Sequence, residues 1–126
     1  MKRLSERQLY ERTLTEEDVL GACRALLELN GARVFRIIER IPWGRKTSEK
    51  GLPDIFGYWM PGPQNGCDYP KVFFIEVKRP GGKHRPAQTA WIENARRDGV
   101  IAFFADSVMT LADEFKKHGI DIKGLR

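Results

Sequence analysis

The segment FFIEVKRP, residues 73–80, constrains the fold more than any other part of the chain: it is apolar enough for an interior strand, yet it carries Glu76 and Lys78. Alternate side chains of a strand share a face, so Val72, Phe74, Glu76 and Lys78 point one way and Phe73, Ile75 and Val77 the other. An ionised carboxyl on a covered face is costly unless it is paired or holds a metal. A second apolar run, GLPDIFGYW at residues 51–59, places Asp54 at the mouth of another strand. A hairpin would bring Asp54 beside Glu76, and two carboxylates so placed repel unless a cation lies between them. A hard divalent cation such as Mg²⁺ suits that arrangement, because it takes one or two carboxylates and completes its shell with water and phosphate. Lys78 would add a positive charge nearby.

The elements around these strands follow from periodicity and punctuation. TEEDVLGACRALLELNG opens on a capping residue at Thr15, repeats Val19, Cys23, Leu26 and Leu27 at helical spacing and stops at Asn30-Gly31. ARVFRIIER predicts a short strand, and the loop IPWGRKTSEKGLP leads to a second over residues 54–59. MPGPQNGCDYP is turn chemistry, followed by a third strand over residues 71–78. Pro86 then sits where a first helical position wants it, with Ala87, Trp91 and Ala95 along one face and Gly99 as the stop. VIAFFA predicts a buried strand, and a last helix is capped by Asp106 or Ser107 and stopped by Gly119. A helix between the third and fourth strands lets those two run parallel. The expected class is α/β: a single domain over residues 15–126, built on a central mixed β-sheet flanked by helices. Residues 1–14 are polar and mixed in charge, a short helix or an arm.

A chain of 126 residues supports one core, and 41% hydrophobic with 31% charged residues is ordinary for a globular protein. Without an apolar run long enough to cross a membrane or a signal-like start, the expected location is cytoplasmic, with no membrane partner. Cys23 in a helical pattern and Cys67 in a polar loop make no disulfide framework. The net charge is +5, and residues 78–97 hold Lys78, Arg79, Lys83, Arg85, Arg96 and Arg97 against Glu93. So local an excess fits a polyanion, although a solvated face carries similar charge.

Gly51-Leu52-Pro53-Asp54-Ile55, then Phe74-Ile75-Glu76-Val77-Lys78, then Pro86-Ala87-Gln88 with Trp91 and Gly99, resemble the PD-(D/E)XK nucleases and, within them, the VRR-NUC branch. The resemblance implies a restriction-endonuclease-like αβββαβ core and a Mg²⁺-dependent DNA endonuclease, with Mn²⁺ able to substitute. It also implies metal ligands at Asp54, Glu76 and the Val77 carbonyl, a catalytic Lys78, and Gln88 reaching the site from its helix start. Glu16 is the expected helix carboxylate, placed on the buried face by its spacing to Val19 and Cys23, with Glu17 in reserve. Arg36, Lys83, Arg85, Arg96 and Arg97 are expected on DNA. Small free-standing members of this branch resemble Holliday-junction resolvases, implying branched DNA as substrate and a homodimer.

Plainer readings stand beside these. Asp54 after proline also suits an Asx turn, Glu76 with Lys78 a solvated edge pair, Gln88 an exposed helix position and Glu16 a carboxylate favoured by the helix dipole. Arg36 also suits a structural role on an edge strand. His84 and His118 do not make a zinc site. At the level of function, a general or flap-type nuclease and an idle DNA-binding module of the same fold remain alternatives.

Overall fold

Thr15 starts the first helix through a reciprocal cap: its hydroxyl accepts from the Asp18 N–H at 3.1 Å and its own N–H donates to Asp18 Oδ2 at 3.0 Å. The same bonds hold the Asp18 carboxyl below its ordinary range. In the computed structural model, which describes residues 14–37, 51–60 and 70–124, this helix is α1, Glu16–Leu29. Most of the expected N-terminal arm, most of the loop before Gly51 and the hairpin tip with Cys67 lie outside the described residues. Val19, Leu20, Cys23, Leu26 and Leu27 form the buried stripe of α1. Burial, with the Asp106 charge, pushes the Cys23 thiol up to about 12, so it packs as a small hydrophobe. Asn30 ends the helix and clasps the C-terminal segment: its Oδ1 accepts from the Lys123 N–H and its Nδ2 donates to the Lys123 carbonyl, both at 2.8 Å.

Four strands follow in the sheet order β1-β2-β3-β4: β1 Arg33–Arg36, β2 Ile55–Trp59, β3 Lys71–Val77 and β4 Ile101–Ala105. The first three pair antiparallel, and β4 pairs parallel to β3. A parallel neighbour requires a crossover, supplied here by α2, Pro86–Arg97. The last helix, α3, Val108–Lys116, is capped by Ser107, whose hydroxyl accepts from the Thr110 N–H at 3.0 Å, while Asp106 accepts from the Thr110 hydroxyl at 2.7 Å. This is the mixed, helix-flanked sheet expected from the sequence.

The two faces of the sheet differ. Ile55, Trp59, Phe73, Ile75, Val77 and Phe103 pack with α1 and α3 into the main core. There Phe115 meets Trp59, Phe73 and Phe103 edge-on, with ring centroids 4.9, 5.2 and 5.0 Å apart. Each such contact contributes roughly 0.5–1.5 kcal/mol beyond burial. Gly57 makes room for this cluster, since a Cβ there would collide with the Phe73 ring and the Arg33 carbonyl.

The other face takes α2. Trp91 tilts onto Phe74, with centroids 5.1 Å apart, and Ile92 is the buried residue of the helix. The expected stripe of Ala87, Trp91 and Ala95 is therefore displaced: Ala87 is exposed, and Ile92 lies between the half-buried Gln88 and Ala95. Strand ends also differ slightly from expectation. β2 begins at Ile55, so Asp54 precedes it, and β3 ends at Val77, although the Lys78 N–H still donates to the Ala105 carbonyl at 2.9 Å.

Candidate active site

The antiparallel register sets Ile55 opposite Ile75, which brings the residue before β2 to the end of β3. There Asp54 Oδ2 accepts from the Val77 backbone N–H at 2.8 Å. Glu76 and Lys78, one pleat apart, are both buried on the α2 side, at 2% and 5% exposure, with Nζ 3.6 Å from Glu76 Oε1. Gln88, in the first turn of α2, joins them: its Nε2 donates to Glu76 Oε1 at 2.9 Å, and its Oε1 accepts from Lys78 Nζ at 2.7 Å and from the Arg85 N–H at 3.3 Å. An ammonium only donates, so it fixes which way the amide turns. The turn before Asp54 is packed against the same helix start. Gly51 has φ +81° and no room for a Cβ beside the Ala87 carbonyl, so only glycine permits this approach.

Burial, chiefly, then the neighbouring Asp54 charge and a hydrogen bond that protonated Glu76 can donate to Asp54, push the Glu76 carboxyl up to about 9, while Lys78 opposes them. When the carboxyl is ionised, its buried Oε2 has no hydrogen-bond donor. A carboxyl driven upward by a second carboxylate, with one oxygen unsatisfied, is what a cation would relieve. The oxygen donors brought together are the Asp54 and Glu76 carboxylates; among the described residues no group of three or more His, Cys, Asp or Glu side chains could hold a metal ion. So sparse and oxygen-only a set fits Mg²⁺, which keeps much of its water shell, better than zinc.

The other expected residues are placed differently. Glu16 and Glu17 are both exposed, and Glu17 bonds Arg36. That pair puts the start of α1 at the Asp54 end of the sheet, because Arg36 is opposite Ile55, but the expectation of a buried Glu16 does not hold. Its spacing continues the buried stripe, yet the first turn extends past the core that would cover it. Arg36 leaves the sheet on the α1 side, with Val34, and so on the face opposite Glu76. Lys83 and Arg85 are exposed just before α2, near Gln88. Arg96 and Arg97, also exposed, lie at the far end of that helix, roughly 12–14 Å further along at 1.5 Å per residue.

Residues given no functional role from the sequence also border the site. The His84 ring stacks on Phe104, centroids 3.9 Å apart and planes 9° apart, and Phe104 is opposite Glu76 on β4. Across the same sheet face Phe74, Phe56 and Phe35 stack in turn, with Tyr58 beside Phe35. The alternation Arg33-Phe35 and Phe56-Tyr58 marks a shared face within each strand, and the register joins the two.

A family model described as the VRR-NUC domain matches residues 1–109. A solved structure described as a VRR_NUC domain is similar at a TM-score of 0.58 and 23% identity, over 83% of this chain and 98% of that one, a likeness of fold. No curated protein matches significantly. Among the described residues no helix is long and apolar enough to cross a membrane.

Proposed function

Because the chain belongs to the VRR-NUC domain family, a branch of the PD-(D/E)XK nucleases, we propose that it is a Mg²⁺-dependent, structure-specific DNA endonuclease, acting as a resolvase-like homodimer on branched DNA. The observation that carries this reading is the buried Glu76–Gln88–Lys78 chain beside Asp54, with Glu76 Oε2 unsatisfied. Asp54, Glu76 and the Val77 carbonyl would hold Mg²⁺, with Mn²⁺ able to substitute. When bound, the cation polarises the scissile phosphate and lowers the pKa of water.

The chain's own residues do the rest. Lys78 Nζ, held by Gln88 Oε1, is a positive donor aimed at the attacking water or at charge developing on a phosphate oxygen. Gln88 keeps that ammonium and the Glu76 carboxyl in fixed relation. Lys83 and Arg85, exposed at the start of α2, contact backbone phosphates, which positions DNA without reading its sequence. A junction presents two related scissile strands, and a two-fold pair of chains would meet them with two sites.

The experiment compares cleavage of a four-way junction, a flap, single strands and plain duplex with Mg²⁺, Mn²⁺ or EDTA, alongside light scattering. Paired nicks in the junction by a particle of twice the 14.5 kDa chain mass are expected, with EDTA abolishing them. Equal nicking of junction and duplex by a monomer would replace the resolvase reading with a general endonuclease. Absence of cleavage with every metal and substrate would leave a DNA-binding module.

A further inference from the structure

Among the described residues, α2 lies over β4 and the Phe74 position of β3 on the sheet face that carries Glu76. Beyond Phe74 that face continues as rings: Phe74 to Phe56 at 6.1 Å, Phe56 to Phe35 at 5.1 Å and Phe35 to Tyr58 at 6.2 Å, with interplanar angles of 28°, 21° and 20°. The row Phe74–Phe56–Phe35 is a stepped stack that ends on the edge strand, where Phe35 is 43% exposed and Tyr58 of β2 flanks it on the inner side. Arg33 lies on the same strand and face, 6.0 Å over the Tyr58 ring, with Nη1 3.4 Å from the Tyr58 hydroxyl. Within β1 to β4 the one carboxylate is Glu76.

We propose that the stack ending at Phe35, with Arg33 beside it, holds an unpaired nucleotide of the DNA strand being cut, its base on Phe35 and its phosphate on Arg33. The inference deepens the nuclease reading and rests on it. A nucleobase is the planar occupant that nearly parallel rings accept as their next member, and aromatic stacking of bases tolerates any sequence. The charge fits as well: Arg33 is a cation at the outer end of this face, and the acids that border the same strand, Glu17 and Glu28, are paired with Arg36 and Arg24. A second copy of this chain would instead bring another Arg33 to an already basic face. Geometry sets the span. Phe35 is two strand spacings from Phe74, and Glu76 is one pleat beyond it, so Phe35 lies about 12 Å from Glu76. A base within a few nucleotides of the scissile phosphate reaches it. Duplex cannot offer a free base, so this platform makes an unpaired strand beside the cut part of what is recognised.

The test measures binding in EDTA, where nothing is cut, to a short single-stranded oligonucleotide carrying 2-aminopurine and to blunt duplex. Phe35→Leu keeps an apolar side chain but removes the ring. It should weaken single-strand binding about tenfold and abolish 2-aminopurine quenching, while duplex binding stays the same. Arg33→Gln should lower the salt dependence by about one counterion. Irradiating the unaltered chain with an iodouracil oligonucleotide should crosslink Phe35, Phe56 or Tyr58, which needs no variant to fold. Unchanged single-strand affinity in Phe35→Leu, or crosslinks confined to other segments, would overturn the proposal. So would a halved particle mass with base quenching intact, which would assign the face to a second copy. The nuclease reading fails separately, as absent cleavage despite Phe35-dependent binding.

Discussion

The Val77 N–H donates to Asp54 Oδ2 at 2.8 Å, so the carboxylate that precedes β2 is tied to the strand that carries Glu76. Two acids from separate strands are held together by backbone, and their repulsion is built in. Glu76→Gln should therefore end cleavage while leaving the melting temperature in EDTA equal to or above that of the unaltered chain. Asp54→Asn, which keeps an oxygen for Val77, should also end cleavage. Activity above background in either variant would remove the two-carboxylate assignment.

The Glu76 carboxyl, pushed up to about 9 by burial and by Asp54, makes stability depend on pH. Its folded value exceeds the unfolded one, so the folded chain retains a proton that the unfolded chain gives up. That contribution is complete below the ordinary glutamate range and is lost as pH rises through about 9. Melting in EDTA should fall from pH 5 toward pH 9, and Glu76→Gln should flatten the profile. Mg²⁺ should restore stability most at the alkaline end, where no proton need be displaced. Calorimetry across this range, with and without Mg²⁺, checks both.

Gln88→Leu removes one partner each from a buried carboxyl and a buried ammonium. Leaving such groups unsatisfied costs about 1–3 kcal/mol, which denaturant titration should detect. Turnover should fall about 10–100-fold, the usual effect of losing a group that orients a ligand, with little change in DNA affinity. Gln88→Glu should not rescue it, because a third acid would meet Glu76.

Lys78 and the exposed cations should separate in kinetics. Lys78→Ala should lose turnover while binding to a junction in Ca²⁺ changes little. Replacing Lys83 and Arg85 with Ala should weaken binding and lower its salt dependence by about two counterions at most. The opposite pattern, read by anisotropy and single-turnover cleavage, would place Lys78 among the DNA contacts.

Gly51→Ala places a Cβ against the Ala87 carbonyl at a positive φ, and it should reduce cleavage by pushing the Asp54 turn away from Gln88. Gly57→Ala meets the Phe73 ring and the Arg33 carbonyl, and should instead lower global stability, by about 1–3 kcal/mol. Activity per folded molecule, set beside the melting curve, distinguishes the two glycines.

What was legible in the sequence followed from strong local signals. Thr15, Asn30-Gly31, Pro86 and the pair Asp106-Ser107 marked helix ends, and alternation around Glu76 marked a covered strand face. Gln88 was legible too, because one helical turn to Trp91 fixes the face it shares. Glu16 was misplaced because periodicity gives the side of a helix but not how far the core extends along it. Arg36 lies away from Glu76 for a related reason: its parity in β1 puts it with Val34, and only the sheet register shows that Glu76 faces the other way. The Phe35 stack escaped notice because it joins three strands, and no window of sequence contains all three.

The parallel pairing of β3 with β4 has a kinetic meaning. The β1–β2 and β2–β3 pairings are antiparallel and close directly, whereas β4 pairs parallel and can join only through the crossover that contains α2. A refolding intermediate with the hairpins alone would already set Asp54 beside Glu76, but without Gln88 to hold Lys78. In that order of assembly the two acids meet first, and the residue that holds Lys78 arrives last.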